Sequence, residues 1–488
     1  MKKYILTIIA LASLWSCQTD EQYEDYNRDP KNPTEVKADF LFTAATVSLG
    51  DQMASANVNN NIFRFVSQYW TSTTYLDEPN YDLNNRGISD SQWNELYRDV
   101  LFDIKDAKNL VQADVELSEG EKTARLAQLE VVEVYAWQVL VDTFGDVPYS
   151  EALNATDFPQ PKFDDAATIY ADLISRLTAV NSDFQAGSGF TSADVVYGGD
   201  MDSWAKFSNS LLLRLGMRLS DVNPSLAQST AETAVTNGVF MSNGDNATIA
   251  YQSTNPNTNP LWSDLVESGR SDYVPANTLV DIMNELEDPR RSVYFDDNVA
   301  PYIGGVYGGS NSYPSYSHVG QAFLDPTLPG ILLDYSEVEF HLAEAAQRTY
   351  GVTGSAEDHY NAAITASINY WGGSDADATA YLAQADVAYD EANWEEQLGT
   401  QFWIAMYDNS IMGWNVWRKF DTPVLNLPED TGNFVPLRYT YPIGEQNLNL
   451  TNYEAASAAI GGDDQQTPLF WDITFPDQST YPGGPAEE

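Results

Sequence analysis

The sequence predicts a mainly α-helical protein: helix pairs joined by short loops, with long inserted loops and a few short strands. Three observations carry this. Apolar residues recur at intervals of three and four through most of the chain, punctuated by residues that start and stop helices. Strand-like stretches are short, near 247–252 and 439–442. Two segments, 238–274 and 296–330, follow no helical pattern, yet they are too aromatic for disorder.

The elements follow in order. Met1-Lys2-Lys3 is a basic start, and residues 4–15 form an apolar run too short to span a bilayer. The run leads into Leu14-Trp15-Ser16-Cys17, which resembles a bacterial lipobox, although Trp15 is unusual there. The expectation is a signal peptide over 1–16, cleavage before Cys17, and a lipid anchor on the Cys17 sulfur. Several acyl chains at about 0.8 kcal/mol per buried methylene hold firmly. Residues 17–36 read as the acylated cysteine and a polar tether, in which Pro30 and Pro33 break any helix. No later segment is apolar enough to cross a membrane.

Helices are expected at 37–56 and at 89–113, the latter capped near Ser91 with Trp93, Tyr97, Leu101 and Ile104 on one face. Glu119–Phe144 is the strongest: two apolar stripes predict burial nearly all round, Gly145 ends it and Pro148 forbids continuation. Further helices are predicted at 164–184, 202–219, 226–237, 275–285, 335–350, 355–371 and 393–407. Trp137, Trp204, Trp371, Trp403 and Trp417 read as core. The pairs suggest a helical-repeat scaffold, although they share no repeat consensus.

Charge excludes several functions. Against 24 basic residues stand 71 acidic ones, a net of −47. Such a surface repels phosphate backbones and anionic lipid, so no nucleic-acid partner is expected. Cys17 is the single cysteine, so no disulfide within the chain and no cysteine-rich metal site is possible. The three histidines include no zincin pair; His341 reads as a packing or surface residue. There is no GxSxG elbow, and Gly304–Gly309 fails the phosphate-loop spacings. No catalytic residue and no cofactor are expected. Asp296-Asp297-Asn298 and Gly461-Gly462-Asp463-Asp464 are oxygen-rich turns of the kind calcium uses, but acidic turns are common in so acidic a chain.

Several segments, in order, resemble the SusD/RagB family. They are Tyr26-Asn27 with residues 30–45, Phe144-Gly145-Asp146-Val147-Pro148 closing a long helix, and residues 206–218. Arg270-Ser271-Asp272-Tyr273-Val274-Pro275, Asp288-Pro289-Arg290 and residues 336–345 follow, then Trp414-Asn415-Val416-Trp417-Arg418 and Tyr441-Pro442. The resemblance spans nearly the whole chain and is closest to the SusD-like branch. It implies one helical domain over 37–488 built on tetratricopeptide-like pairs, with loop insertions at about 238–274 and 296–330. It also implies a non-enzymatic lipoprotein facing outward from the outer membrane, which hands an oligosaccharide to a SusC-like TonB-dependent barrel. A peptide is the alternative ligand, and a surface glycoside hydrolase the rival outside the family. Gln18-Thr19-Asp20-Glu21 looks like the surface-export signal of such lipoproteins.

Sugar rings stack on Trp and Tyr faces, and their hydroxyls need fixed polar partners. Packed helices leave few aromatic faces free, so loops must supply the platform. The expected ligand residues are Trp70 and Tyr75, Trp262, Arg270 and Asp272, and Tyr302, Tyr307, Tyr313 and Tyr316. Arg418 and Arg438 read instead as structural arginines paired with carboxylates.

Overall fold

A computed structural model describes residues 36–83 and 85–485. Cys17, the signal segment and nearly all of the tether lie outside the described residues. Among the described residues no helix is long and apolar enough to cross a membrane.

The first helix among the described residues is α1 (Ala38–Ala54), which packs on α2 (Phe102–Ala113). The helical run into α2 starts at Ile88 behind Gly87, whose φ is 62°, so Ser91 lies inside the first turn and is not the cap. Residues Glu95–Leu101 form a widened π turn. That widening keeps residues spaced by four, such as Trp93, Tyr97 and Leu101, on one inward face.

Four helix pairs follow. Helix α3 (Glu119–Phe144) packs on α4 (Ala166–Val180), and α5 (Met201–Arg218) on α6 (Pro224–Asn237). After α7 (Asn277–Glu285) come α8 (Tyr335–Gln347) on α9 (Ala356–Tyr370), and α10 (Trp394–Ala405) on α11 (Ser410–Phe420). Each pair leans on the next, α3 and α4 on α5, α5 on α8, and α8 on α10, giving a tetratricopeptide-like stack. The ends of α3 are written locally. Ser118 and Glu121 close a capping box, and Gly145, at φ 82°, stops the helix where Asp146 turns to accept the Ala166 N–H at 2.9 Å. From Val131 to Phe144 only Glu133 escapes full burial.

Polar side chains tie the stack internally. Arg214 of α5 meets Glu337 of α8, with Nη2 donating to Oε2 at 2.8 Å, and both side chains are at most 3% exposed. Asp142 of α3 accepts from Tyr170 of α4 at 2.5 Å, Trp471 at 3.0 Å and Asn415 of α11 at 3.0 Å. Trp204, Trp403 and Trp417 are fully buried and Trp137 is 2% exposed, whereas Trp371, at the end of α9, is half-buried. His341 is buried edge-on to Phe402, and burial pulls its pKa down. Arg438 pairs with Asp463 at 2.8 Å, which also accepts the Tyr441 N–H at 3.0 Å; that acidic turn is therefore committed to the arginine. Arg418 departs from expectation. It donates to the carbonyls of Leu437 and Asp142 at 2.8 Å and lies over Trp414 and Trp471, because its pocket offers carbonyls and ring faces at bonding distance.

Among the described residues three two-stranded antiparallel ribbons brace the loops. They pair β1 (Trp70–Ser72) with β5 (Tyr273–Pro275), β2 (Val147–Pro148) with β3 (Phe163–Asp164), and β4 (Ala247–Ile249) with β6 (Gly330–Leu333). The strand expected near 439–442 does not form. Tyr439 is instead a buried plug whose N–H donates to the Thr143 carbonyl at 2.9 Å. Within 238–274 the chain winds briefly into helix at Pro260–Trp262 and a π turn at Ser263–Glu267.

Candidate ligand-binding hollow

The β1–β5 ribbon positions the candidate site. Trp70 lies across from Pro275 and Ser72 from Tyr273. The pairing runs one residue further: the Thr73 N–H donates to the Asp272 carbonyl at 2.8 Å and its hydroxyl to Ser271 at 2.6 Å. Beyond Thr73 the chain turns outward and leaves the Tyr75 ring 47% exposed. Two guanidiniums approach that ring, Arg270 at 5.4 Å and Arg86 at 5.7 Å, within cation–π range. Each is paired with an acid: Arg270 with Asp272, and Arg86 with Glu78 at 2.7 Å.

These residues line a hollow of ≈ 350 Å³, completed by Asn57, Asn59, Ser72, Asp264 and Tyr273. Tyr273 stacks on Trp70 at 5.9 Å, so the buried indole backs the exposed wall. A second hollow of ≈ 100 Å³ shares Arg270, Asp272 and Tyr273 and adds Tyr313, His318 and Asp296. There the Tyr313 ring is stacked on His318 at 3.8 Å. Burial raises the Asp264 carboxyl to about 6, and burial together with Asp264, Asp272 and Glu78 pushes the Tyr273 phenol well above its usual value. The surface thus offers a half-exposed aromatic ring, a fixed guanidinium–carboxylate pair and amide groups, the elements that hold a polyhydroxylated ligand.

Another hollow, of ≈ 360 Å³, is lined by Lys105, Lys108, Trp137, Tyr149 and Arg176. Its Lys108 and Arg176 are bound to Glu130 and Glu133, and Trp137 presents no free face. Among the described residues no group of three His, Cys, Asp or Glu is placed to hold a metal ion.

Of the residues expected from the sequence, Tyr75, Arg270 and Asp272 line the larger hollow, and Arg270 and Asp272 join Tyr313 in the smaller one. Two expected platforms are corrected. Trp70 and Tyr307 are each 1% exposed. The Trp70 indole N–H donates to the Tyr407 hydroxyl at 2.8 Å, and the Tyr307 hydroxyl donates to the Phe65 carbonyl at 2.8 Å. Ribbon pairing places Trp70, and these bonds hold both rings in the core. Trp262, Tyr302 and Tyr316 are half-buried and line neither hollow; Tyr302 rests its edge on Phe295 at 5.6 Å. Tyr273, Glu78, Arg86 and Asp264 were not foreseen. Tyr273 sits inside the motif that supplied Arg270 and Asp272, which was a usable signal. Nothing local distinguishes the other three.

Comparisons with known proteins accord with this architecture. The SusD-like family model, described as starch-binding and associating with the outer membrane, matches residues 30–442. A solved chitin-binding protein is 26% identical over 90% of this chain and 100% of its own, with a TM-score of 0.79. A SusD-like protein from Bacteroides thetaiotaomicron aligns at TM-score 0.77, 24% identity, 90% of this chain and 99% of its own. A chitin-binding SusD homologue from Flavobacterium johnsoniae gives 0.74 at 24% identity, covering 90% and 98%. No curated protein matches the chain.

Proposed function

We propose, from the premise that this chain belongs to the SusD-like family, that it is an outer-membrane nutrient-binding protein that captures an oligosaccharide in the hollow beside Tyr75. The observation that carries this reading is the half-exposed Tyr75 ring flanked by Arg270 and Arg86, continuous through Asp272 and Tyr273 with the smaller hollow. A sugar face stacks on the ring, and the guanidinium–carboxylate pair fixes hydroxyls. The chitin-binding relative makes chitin oligosaccharides the first probe to try.

The finer parts of the reading are ours as well. The chain is anchored through acylated Cys17, faces outward, alters no ligand, and passes the ligand to a SusC-like TonB-dependent barrel. A hinged association with such a barrel retains ligand by shifting the balance between open and closed states. The decisive experiment is a glycan array run beside a peptide panel on the same protein, followed by titration of the best hit into Tyr75→Ala. Loss of one stacked ring weakens binding by about 1–3 kcal/mol, one to two decades in affinity. Full affinity in both Tyr75→Ala and Arg270→Ala overturns the choice of site. A peptide-only profile replaces the ligand class, and sustained release of cleaved product replaces the non-enzymatic role. Palmitate labelling lost in Cys17→Ala tests the anchor, and recovery of a barrel with tagged protein in mild detergent tests the partner.

A further inference from the structure

This inference rests on the glycan-binding reading above and names the chemistry that the hollow selects. Glu78 lines the larger hollow three residues beyond Tyr75, and its side chain is only 1% exposed. Among the described residues neither carboxylate oxygen accepts an aligned hydrogen bond, and the carboxylate meets Arg86, 2.7 Å from Oε1. An ionised carboxylate has about four acceptor positions, and leaving them unmatched inside a protein is costly. Asp264 and Asp272 line the same hollow, so three carboxylates stand against the two guanidiniums of Arg86 and Arg270. Both guanidiniums are already paired, Arg86 with Glu78 and Arg270 with Asp272.

The unmet capacity of the hollow is therefore for hydrogen-bond donors. Hydroxyls, amide N–H groups and ammonium groups bring them. Carboxylates, sulfates and phosphates bring acceptors and a repelled charge into a partly desolvated space, where opposition is strongest. We propose that Glu78 is the specificity-determining residue of this hollow: it accepts donors from a neutral or amino glycan and bars glycans that carry carboxylates or sulfates.

The test is calorimetric titration of the full chain with four hexamers: chitohexaose, maltohexaose, the glucosamine hexamer and hexagalacturonate. At least one of the three without carboxylates binds, and hexagalacturonate binds at least about tenfold more weakly than the tightest of them. Glu78→Gln keeps the shape but removes the charge. It lowers affinity for the tightest hexamer by about ten- to a hundredfold and narrows the gap to hexagalacturonate, with the melting curve of the free protein read alongside to confirm that the variant is folded. Hexagalacturonate binding to the unaltered chain as tightly as the others overturns the proposal, and this comparison needs no variant to fold. A folded Glu78→Gln with full affinity, beside a Tyr75→Ala that has lost it, also overturns it while leaving the glycan site standing. Full affinity in both Tyr75→Ala and Arg270→Ala, or no glycan binding at all, brings down the glycan-site reading and this inference with it.

Discussion

Replacing Glu337 by Ala tests how the helix stack is held. The carboxylate faces the Arg214 guanidinium across the α5–α8 contact, and neither side chain is more than 3% exposed. Burial alone raises the Glu337 carboxyl; Arg214 and His341 more than offset this and hold it below its usual value. Removing the acid leaves a guanidinium buried with one remaining strong acceptor, the Leu332 carbonyl at 2.9 Å. Breaking one side of such a pair costs about 3–5 kcal/mol. With about 450 ordered residues at ~2.1 cal/mol/K each, the unfolding entropy is about 1 kcal/mol/K, so the melting temperature falls by only about 3–5 °C. Urea titration is the sharper assay, with Glu337→Ala, Arg214→Met and the double variant compared as a cycle. The double variant recovers much of the loss, because an apolar pair leaves no charge stranded. The sign with pH follows from the lowered carboxyl: the pair contributes above the ordinary glutamate range and is lost as acid reaches the lower folded value. A single variant costing under ~1 kcal/mol, or a double variant whose loss equals the sum of the singles, refutes this account of the contact.

Three further outcomes are expected. Trp137→Ala empties a site that is 2% exposed on α3 and costs about 3–5 kcal/mol in urea titration, with any binding loss tracking unfolding. Gly145→Ala forces an L side chain to φ 82° and lowers stability by about 1–3 kcal/mol, read in the same way. Asp264→Asn probes a carboxyl raised to about 6 by burial. Its ionised form weighs against the fold above that value, and the burden fades as pH falls towards the unfolded value. The variant therefore melts higher than the parent at pH 8 and no higher at pH 4, as scanning calorimetry will read.

The parts of the fold legible in the sequence are those decided locally. Glu119–Phe144 was bounded correctly because its periodicity and its terminal glycine sit within the element itself. Helix α11 was given no bounds, although Trp417 reads as helical core, since its buried face is set by partners far along the chain, such as Asp142. Pairing of β1 with β5 joins residues some two hundred positions apart, and three-residue strands carry no period to detect. That pairing decides why Trp70 is core while Tyr75 is free, so the site was legible only in part. Arg270 and Asp272 stood out beside aromatics, whereas Glu78 is one of 71 acidic residues and gains its distinction only from burial.

The β1–β5 ribbon has a consequence for the life of the chain. One rim of the hollow is made before residue 90 and the other after residue 260, so neither is complete until both lengths of polypeptide have been synthesised and folded together. A nascent or clipped fragment holds half of the hollow's lining. Under the proposed function, capture of nutrient is thereby tied to integrity of the entire molecule, and a glycan bound across both rims would protect the intervening chain from proteases by mass action.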